Sequence, residues 1–289
     1  TSRKSRLYHE GAVAERLLRF IGERVGGAGA GSLAKDEDEE ADDAAQLFVV
    51  RFVRDECLVS ADASGALLHL RGYRQALAKA PLRETLAAAL LLGSGWDPAS
   101  PCVDPLCGSG TIPIEAALLA RRIAPGLANA AREPRRYACL EWPGFDAARW
   151  AEVVRRARED ILPAAPAPVL GSDRDEGAVA AAAANAERAG VAADVALSAR
   201  PLSAIEPPPG PGWLASNPPY GVRVGESDAL RDLFAALGRT ARAKCHGWTL
   251  ALLSADPRLE AQVGIPFREV LRTSNGGIPV RLVAGRVGA

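Results

Sequence analysis

The stretch Asp104-Pro105-Leu106-Cys107-Gly108-Ser109-Gly110-Thr111 stands between two segments of opposite character. Before it, PCVD (101–104) is short and apolar, as a buried strand is. After it, TIPIEAALLARRI (111–123) has the spacing of a buried helix. Glycines at a strand-to-helix turn let the backbone come close to a ligand, and the helix start offers free N–H groups. In open α/β sheets ligands bind at strand carboxyl ends, where this turn falls. A tight structural turn carries the same glycines, with Pro113 comfortable in the first helical turn. The dinucleotide fingerprint fails, because Pro113 occupies the place of its third glycine. That counts against NAD and leaves another adenosine-containing cofactor.

Working outward from the turn, helix and strand alternate. Residues 82–92 read as helix, 124–150 as irregular, AEVVRRARED (151–160) as helix, PVLGSD (168–173) as strand and 176–189 as helix. DVALS, GWLAS, WTLALLS and IPVRLVA follow as later strands. Such alternation predicts an α/β fold with a doubly wound parallel sheet over residues 76–289. Upstream, residues 7–25 are helical, and QLFVVRFV and ECLVSAD form a hairpin about Arg54-Asp55. LLHLRGYR (67–74) reads as a third extended piece. Residues 1–75 are therefore expected to be part of a small α+β domain, with 26–45 an exposed loop.

Composition narrows the chemistry. At 289 residues, 48% hydrophobic and 24% charged, the chain is globular, and no apolar run is long enough for a membrane helix. A soluble, cytoplasmic protein without membrane attachment is expected. Five cysteines without a CxxC pair argue against a disulfide framework or a zinc site, and three scattered histidines against a His-based metal centre. Net charge is zero, yet seven acids lie in DEDEEADD (36–43), so the remainder carries a net positive charge. Thirty-one of the 35 basic residues are Arg, whose planar fork suits phosphate and stacks on bases. On composition alone, an Arg- and Ala-rich coding bias is the better account.

Two further segments complete a pattern. Asp173, at the end of a strand in GSDRDEGA, is placed to accept from both hydroxyls of a ribose, or else serves the following helix start. SNPPYG (216–221) follows the strand GWLA. Its two prolines fix the backbone and cannot donate, so the carbonyls of Asn217 and Pro218 are free to accept. The Asn217 amide adds an acceptor and Tyr220 a flat face, an arrangement suited to an exocyclic amine on a base drawn out of its stack.

Together DPLCGSGT, GSD and NPPYG resemble the first, second and fourth motifs of class I S-adenosylmethionine-dependent methyltransferases acting on amino groups of bases. The segments LRGYR, APLRETLAAALLL, GTIPIEAALLARRIAPG, NAERAG and NGGIPVRLV resemble the THUMP-associated RNA guanine-N2 methyltransferases, of the ribosomal large-subunit type and a related tRNA group. The likeness runs along most of the chain, with 1–75 similar to the later part of a THUMP domain. NPPY alone does not fix the base, and the same likeness extends to proteins described as N6-adenine-specific DNA methylases.

The resemblance implies a Rossmann-like sheet, S-adenosyl-L-methionine as cofactor, no metal, and RNA as partner, ribosomal RNA before tRNA, for a monomeric enzyme. It implies Asp104, Gly108 and Gly110 around the methionine part of the cofactor, with Pro105, Cys107 and Thr111 in the same turn. Asp173 falls at the ribose with Arg174 beside it, and Glu115 and Thr85 nearby. Asn217, Pro218, Pro219 and Tyr220 fall at the target amine. One departure stands out: where many such enzymes carry an Asp for the adenine amine, this chain reads SARPL, with Ala199 and Arg200. RNA docking is expected at Arg121, Arg122, Arg132, Arg135 and Arg136, with Arg3, Lys4 and Arg6 as a second cluster. A decayed, purely RNA-binding assembly factor and an adenine DNA methyltransferase are the competing readings.

Overall fold

The structure is a computed structural model that describes residues 2–7, 9–25, 46–75, 82–220 and 227–288. The acidic run 36–43 and Gly221 of SNPPYG lie outside the described residues. The chain divides into two compact units, Thr1–Leu68 with Arg136–Ala147 and His69–Arg135 with Ala148–Ala289.

The first unit holds β1 (Ser2–Arg3), α1 (Glu10–Val25), β2 (Phe48–Val53) and β3 (Glu56–Ala61). β2 and β3 form the expected hairpin, Val53 opposite Glu56. Its two turn residues, Arg54 and Asp55, both have positive φ (52° and 65°), the backbone that matches the twist of paired strands. The Asp55 carboxylate accepts from the Arg6 backbone N–H at 2.8 Å and from Arg6 Nε at 3.2 Å. The third strand is β1, parallel to β2, and not LLHLRGYR. The end of that segment is committed elsewhere: Tyr73 is buried in the second unit, where its hydroxyl and the Arg71 guanidinium both bond Glu115.

The second unit runs α2 (Glu84–Ser94), β4 (Cys102–Asp104), α3 (Thr111–Ala120), α4 (Ala147–Glu159), β5 (Val169–Asp173), α5 (Glu176–Ala189), β6 (Val195–Ala199) and β7 (Trp213–Ser216). Then come α6 (Ser227–Lys244), β8 (Thr249–Ser254), α7 (Pro257–Val263), β9 (Arg268–Asn275) and β10 (Ile278–Arg286). The strands make one seven-stranded sheet in the order β6-β5-β4-β7-β8-β10-β9. β4 to β8 are parallel, as expected, whereas β10 runs antiparallel to both β8 and β9. The cause is local. Asn275 pairs with Ile278, so only Gly276 and Gly277 connect β9 to β10, far too few residues for a parallel crossover. β9, α6 and α7 were not read from the sequence.

Both sheet faces are covered, which is why the central strands read as near-continuous apolar runs. Leu90 and Leu91 of α2, Ile112 and Ile114 of α3 and Leu282 of β10 belong to one core layer. Leu214 and Leu250 join Phe234 and Leu237 of α6 and Val263 of α7 in the other. Strand order reverses between β4 and β7, the switch point of the sheet, and in open α/β sheets ligands bind in the crevice above the strand carboxyl ends at such a point.

Candidate active site

The three sequence motifs end on three adjacent strands. DPLCGSGT follows β4, Asp173 closes β5 on one side of it, and SNPPYG follows β7 on the other. The turn after β4 is pinned from several directions. Leu106 N–H donates to Asp104 Oδ1 (3.1 Å), Cys107 N–H to the Ser172 carbonyl (2.9 Å) and Gly110 N–H to the Cys107 carbonyl (2.8 Å). From α5, the fully buried Asn185 donates its amide to the Ser109 carbonyl at 2.9 Å.

The two glycines have different physical reasons. Both take positive φ, 51° at Gly108 and 85° at Gly110. A Cβ on Gly108 would meet nothing within 4 Å, so this backbone faces open space. A Cβ on Gly110 would lie 2.8 Å from that of Ala182, so Gly110 is the contact that lets α5 close on α3. Pro105, Cys107 and Thr111 are buried in the turn, and burial pushes the Cys107 thiol up.

Asp173 reaches the same turn. Its Oδ2 accepts from the Gly108 N–H at 3.0 Å and its Oδ1 from the Asp175 N–H at 3.1 Å. Capping α5 is done by Asp175, which accepts from Gly177 and Ala178 N–H. Asp173 is therefore a half-buried carboxylate at the lip of the crevice, with Arg174 exposed beside it. Asp104 is 2% exposed, and burial raises its pKa to about 7. Bonds from Ser216 and Leu106 pull it down, and nearby Asp173 pushes it up. A positive charge placed here would offset the push of Asp173 on Asp104.

Beyond Ser216 the chain leaves the sheet through Asn217, Pro218, Pro219 and Tyr220. Pro218 is buried, Pro219 exposed, and Asn217 and Tyr220 half-buried. Asn217 Oδ1 is buried and, among the described residues, has no hydrogen-bond donor, an arrangement that costs roughly 1–3 kcal/mol unless something supplies one. The Tyr220 hydroxyl accepts from the Asn275 amide at 2.7 Å, and burial raises its pKa.

Other expected residues lie differently. Thr85 is the second residue of α2 and half-buried. Glu115, on α3, is bonded by Arg71 Nε (2.8 Å) and the Tyr73 hydroxyl (2.9 Å), and burial raises its pKa to about 7. The Arg200 N–H donates to the Asp173 carbonyl at 2.8 Å, and its guanidinium pairs with Glu206 at 3.0 Å.

The expected arginine docking patch is corrected in two places. Arg132 donates to the carbonyls of Leu127, Asn129, Ala189 and Gly190, and Arg121 bonds the Leu162 carbonyl and Asp194. Both close the protein's own loops, because orphan carbonyls at the α5 terminus need donors. Arg122 and Arg136 are exposed, Arg136 pairing with Glu141, and Arg135 bonds the Leu70 carbonyl at 3.3 Å. Arg6 of the other cluster pairs with Asp55.

Three site residues were not singled out by sequence reading: Asn185, Ser216 as a partner of Asp104, and Asn275. Asn185 carries a usable signal, being the one polar residue in the run AAAANA (181–186). Among the described residues no group of three or more His, Cys, Asp or Glu is placed to hold a metal ion, and no helix is long and apolar enough to cross a membrane.

A family model described as "RMKL-like, methyltransferase domain" matches residues 71–279. The chain is 39% identical over 241 residues to the ribosomal RNA large subunit methyltransferase K/L of Chromohalobacter salexigens, and 37% identical over 243 residues to that of Saccharophagus degradans. Each match takes in 80% of this chain, which spans 32% of either relative's length. Among solved structures, the protein SMU.472, in complex with SAH, superposes with a TM-score of 0.80 at 30% identity, covering 100% of this chain and 73% of that one.

Proposed function

The chain belongs to the RMKL-like methyltransferase family, and on that premise we propose that it transfers the methyl group of S-adenosyl-L-methionine to the exocyclic N2 amine of a guanine in RNA, 23S ribosomal RNA before tRNA. The observation that carries this reading is Asn217 Oδ1, a buried acceptor without a donor among the described residues, at the head of NPPY. An amine N–H of an inserted base is the missing group.

S-adenosyl-L-methionine fits the crevice. The open side of Gly108 admits the cofactor, the Asp104 and Asp173 pair suits its cationic methionine end, and Asp173 keeps unshared lone pairs for ribose hydroxyls. Pro105, Cys107, Gly110 and Thr111 shape the turn, with Arg174 at its rim. When bound, the cofactor supplies an electrophilic methyl on a sulfonium. Thr85 and Glu115 are retained as outlying residues of this pocket. With Ala199 and Arg200 where an acid is usual, the adenine is held by backbone groups.

The chain's own residues then orient the amine. Asn217 Oδ1 and the Pro218 carbonyl accept from the NH2 and hold its lone pair toward the crevice, which favours the reactive geometry. Positive charge developing on nitrogen meets the same two acceptors. In the transfer one N–C bond would form at the amine as the S–CH3 bond breaks, a neutral thioether would leave, and the amine, now carrying the positive charge, would then lose a proton to water, so no strong general base is required. Tyr220 supplies the stacking face that replaces the base's lost neighbours. Residues 1–75 are proposed as a partial THUMP-like RNA-binding domain and 76–289 as a methyltransferase domain, in a monomeric cytoplasmic enzyme.

Transfer of tritium from labelled S-adenosyl-L-methionine to RNA or DNA, followed by nucleoside analysis, tests the proposal. Label in N2-methylguanosine supports it. Label in N6-methyladenine of DNA, or cofactor binding without transfer to either polymer, overturns it.

A further inference from the structure

We propose that Asn275 is a positioning residue of the transfer reaction: its amide, at the tip of the β9–β10 hairpin, holds the Tyr220 ring as the wall on which the target base stacks. This rests on the reading that 217–220 receives the base.

The antiparallel end of the sheet is what brings Asn275 there. β10 pairs with β8 so that Arg281 lies opposite Ser254, the last residue of β8. The hairpin therefore continues past the carboxyl end of β8, the end at which β7 releases SNPPYG. Asn275 is the last residue of β9, paired with Ile278 and closed by Gly276 and Gly277, both at positive φ (55° and 79°). A two-residue turn of that kind fixes its flanking residues rigidly. Asn275 is 8% exposed, and its Nδ2 donates to the Tyr220 hydroxyl across 2.7 Å.

On the other side of that bond, Tyr220 follows two prolines, whose fixed φ already stiffens its backbone. Two side-chain torsions remain. Packing of the half-buried ring against the core layer that includes Val280 and Leu282 restrains one end, and the bond from Asn275 restrains the hydroxyl tip. A stacking surface held at both ends loses little freedom when a base arrives, so the contact is ready before RNA binds. Neither residue lies on β4 or β5, which carry the cofactor turn and Asp173. Asn275 should thus act on the RNA step and not on cofactor affinity.

A double-mutant cycle on the full chain tests this. Asn275→Ala and Tyr220→Phe each remove the same hydrogen bond, so each should lower kcat/KM for RNA by about tenfold, the loss expected for one well-placed bond. The double variant should be no worse than either single one. Cofactor affinity by calorimetry should stay at the parent value in all three, and Asn275→Asp, which can accept the phenol proton, should recover most of the loss. Additive losses, a cofactor affinity that falls with Asn275→Ala, or Tyr220→Phe turning over RNA at the parent rate would each overturn the role. Should Asn275→Ala fail to fold, the Tyr220→Phe and Asn275→Asp arms still decide. A parent protein inert toward RNA overturns the proposed function and this inference together, whereas an active parent with additive losses overturns only this one.

Discussion

Ser216 donates its hydroxyl to Asp104 Oδ1 across 2.7 Å, joining the last residue of β7 to the last residue of β4 with both side chains buried. The bond sets the lateral spacing between the turn proposed to hold the cofactor and Asn217, the next residue along. Ser216→Ala leaves a buried carboxyl with one donor fewer. A loss of roughly 1.5–3 kcal/mol in unfolding free energy is expected in denaturant titrations at neutral pH. A variant as stable as the parent would show that the bond contributes nothing net.

Burial gives the chain a pH signature. The pKa of Asp104 is raised from 3.8 to about 7, and that of Glu115 from 4.5 to about 7. Between about pH 4 and pH 7 the folded chain keeps protons that the unfolded chain has released, so their contribution to stability falls as pH rises through that window. Asp104→Asn, which titrates in neither state, should show a smaller stability difference between about pH 5 and about pH 8 than the parent. An unchanged difference would place the pKa of Asp104 in its ordinary range.

The glycines of the turn should separate cleanly. Gly110→Ala sets a methyl 2.8 Å from Ala182 Cβ at a φ of 85°, so it should destabilise the fold by about 2–4 kcal/mol, overpacking added to backbone strain. Gly108→Ala meets no atom within 4 Å and should cost only about 1 kcal/mol of strain while weakening cofactor binding. Thermal unfolding and calorimetry on the two variants read this directly. Equal loss of stability in both would contradict it.

Arg132 should behave as a structural clamp. Arg132→Ala takes the guanidinium bond from four carbonyls, of which Leu127, Asn129 and Gly190 keep another donor, and should lower stability by about 2–4 kcal/mol, each bond to a charged group being strong but the losses not additive. The slope of log RNA affinity against log salt should stay at the parent value in folded protein, whereas each true phosphate contact removed would change it by about 0.7 to 0.9.

The parallel core of the fold was legible because its cues are local. The central strands β4, β7 and β8 are buried runs, mostly apolar, and the glycine turn after β4 and the acid closing β5 are punctuation that a sequence displays openly. β9 escaped because REVLRTSN has only two apolar residues, the adjacent Val270 and Leu271, and so shows no alternation to mark an edge strand, and its direction depends on a two-glycine connection. The arginines misled for a related reason. A guanidinium reads the same whether it meets phosphate or a carbonyl at the end of α5, and only the packing of the 121–135 segment on that helix decides. Likewise the partners of Asp104 and Tyr220 lie 112 and 55 residues away in sequence, beyond any spacing rule.

Asn217→Ala tests the central claim most directly. The cofactor turn and Asp173 belong to β4 and β5, so the variant should fold and bind S-adenosyl-L-methionine with parent affinity by calorimetry. Per-molecule methyl transfer to RNA under single-turnover conditions should fall by on the order of 10² to 10³, the loss of one positioned acceptor at the transition state. A folded, cofactor-binding Asn217→Ala protein that methylates RNA at the parent rate would contradict the account.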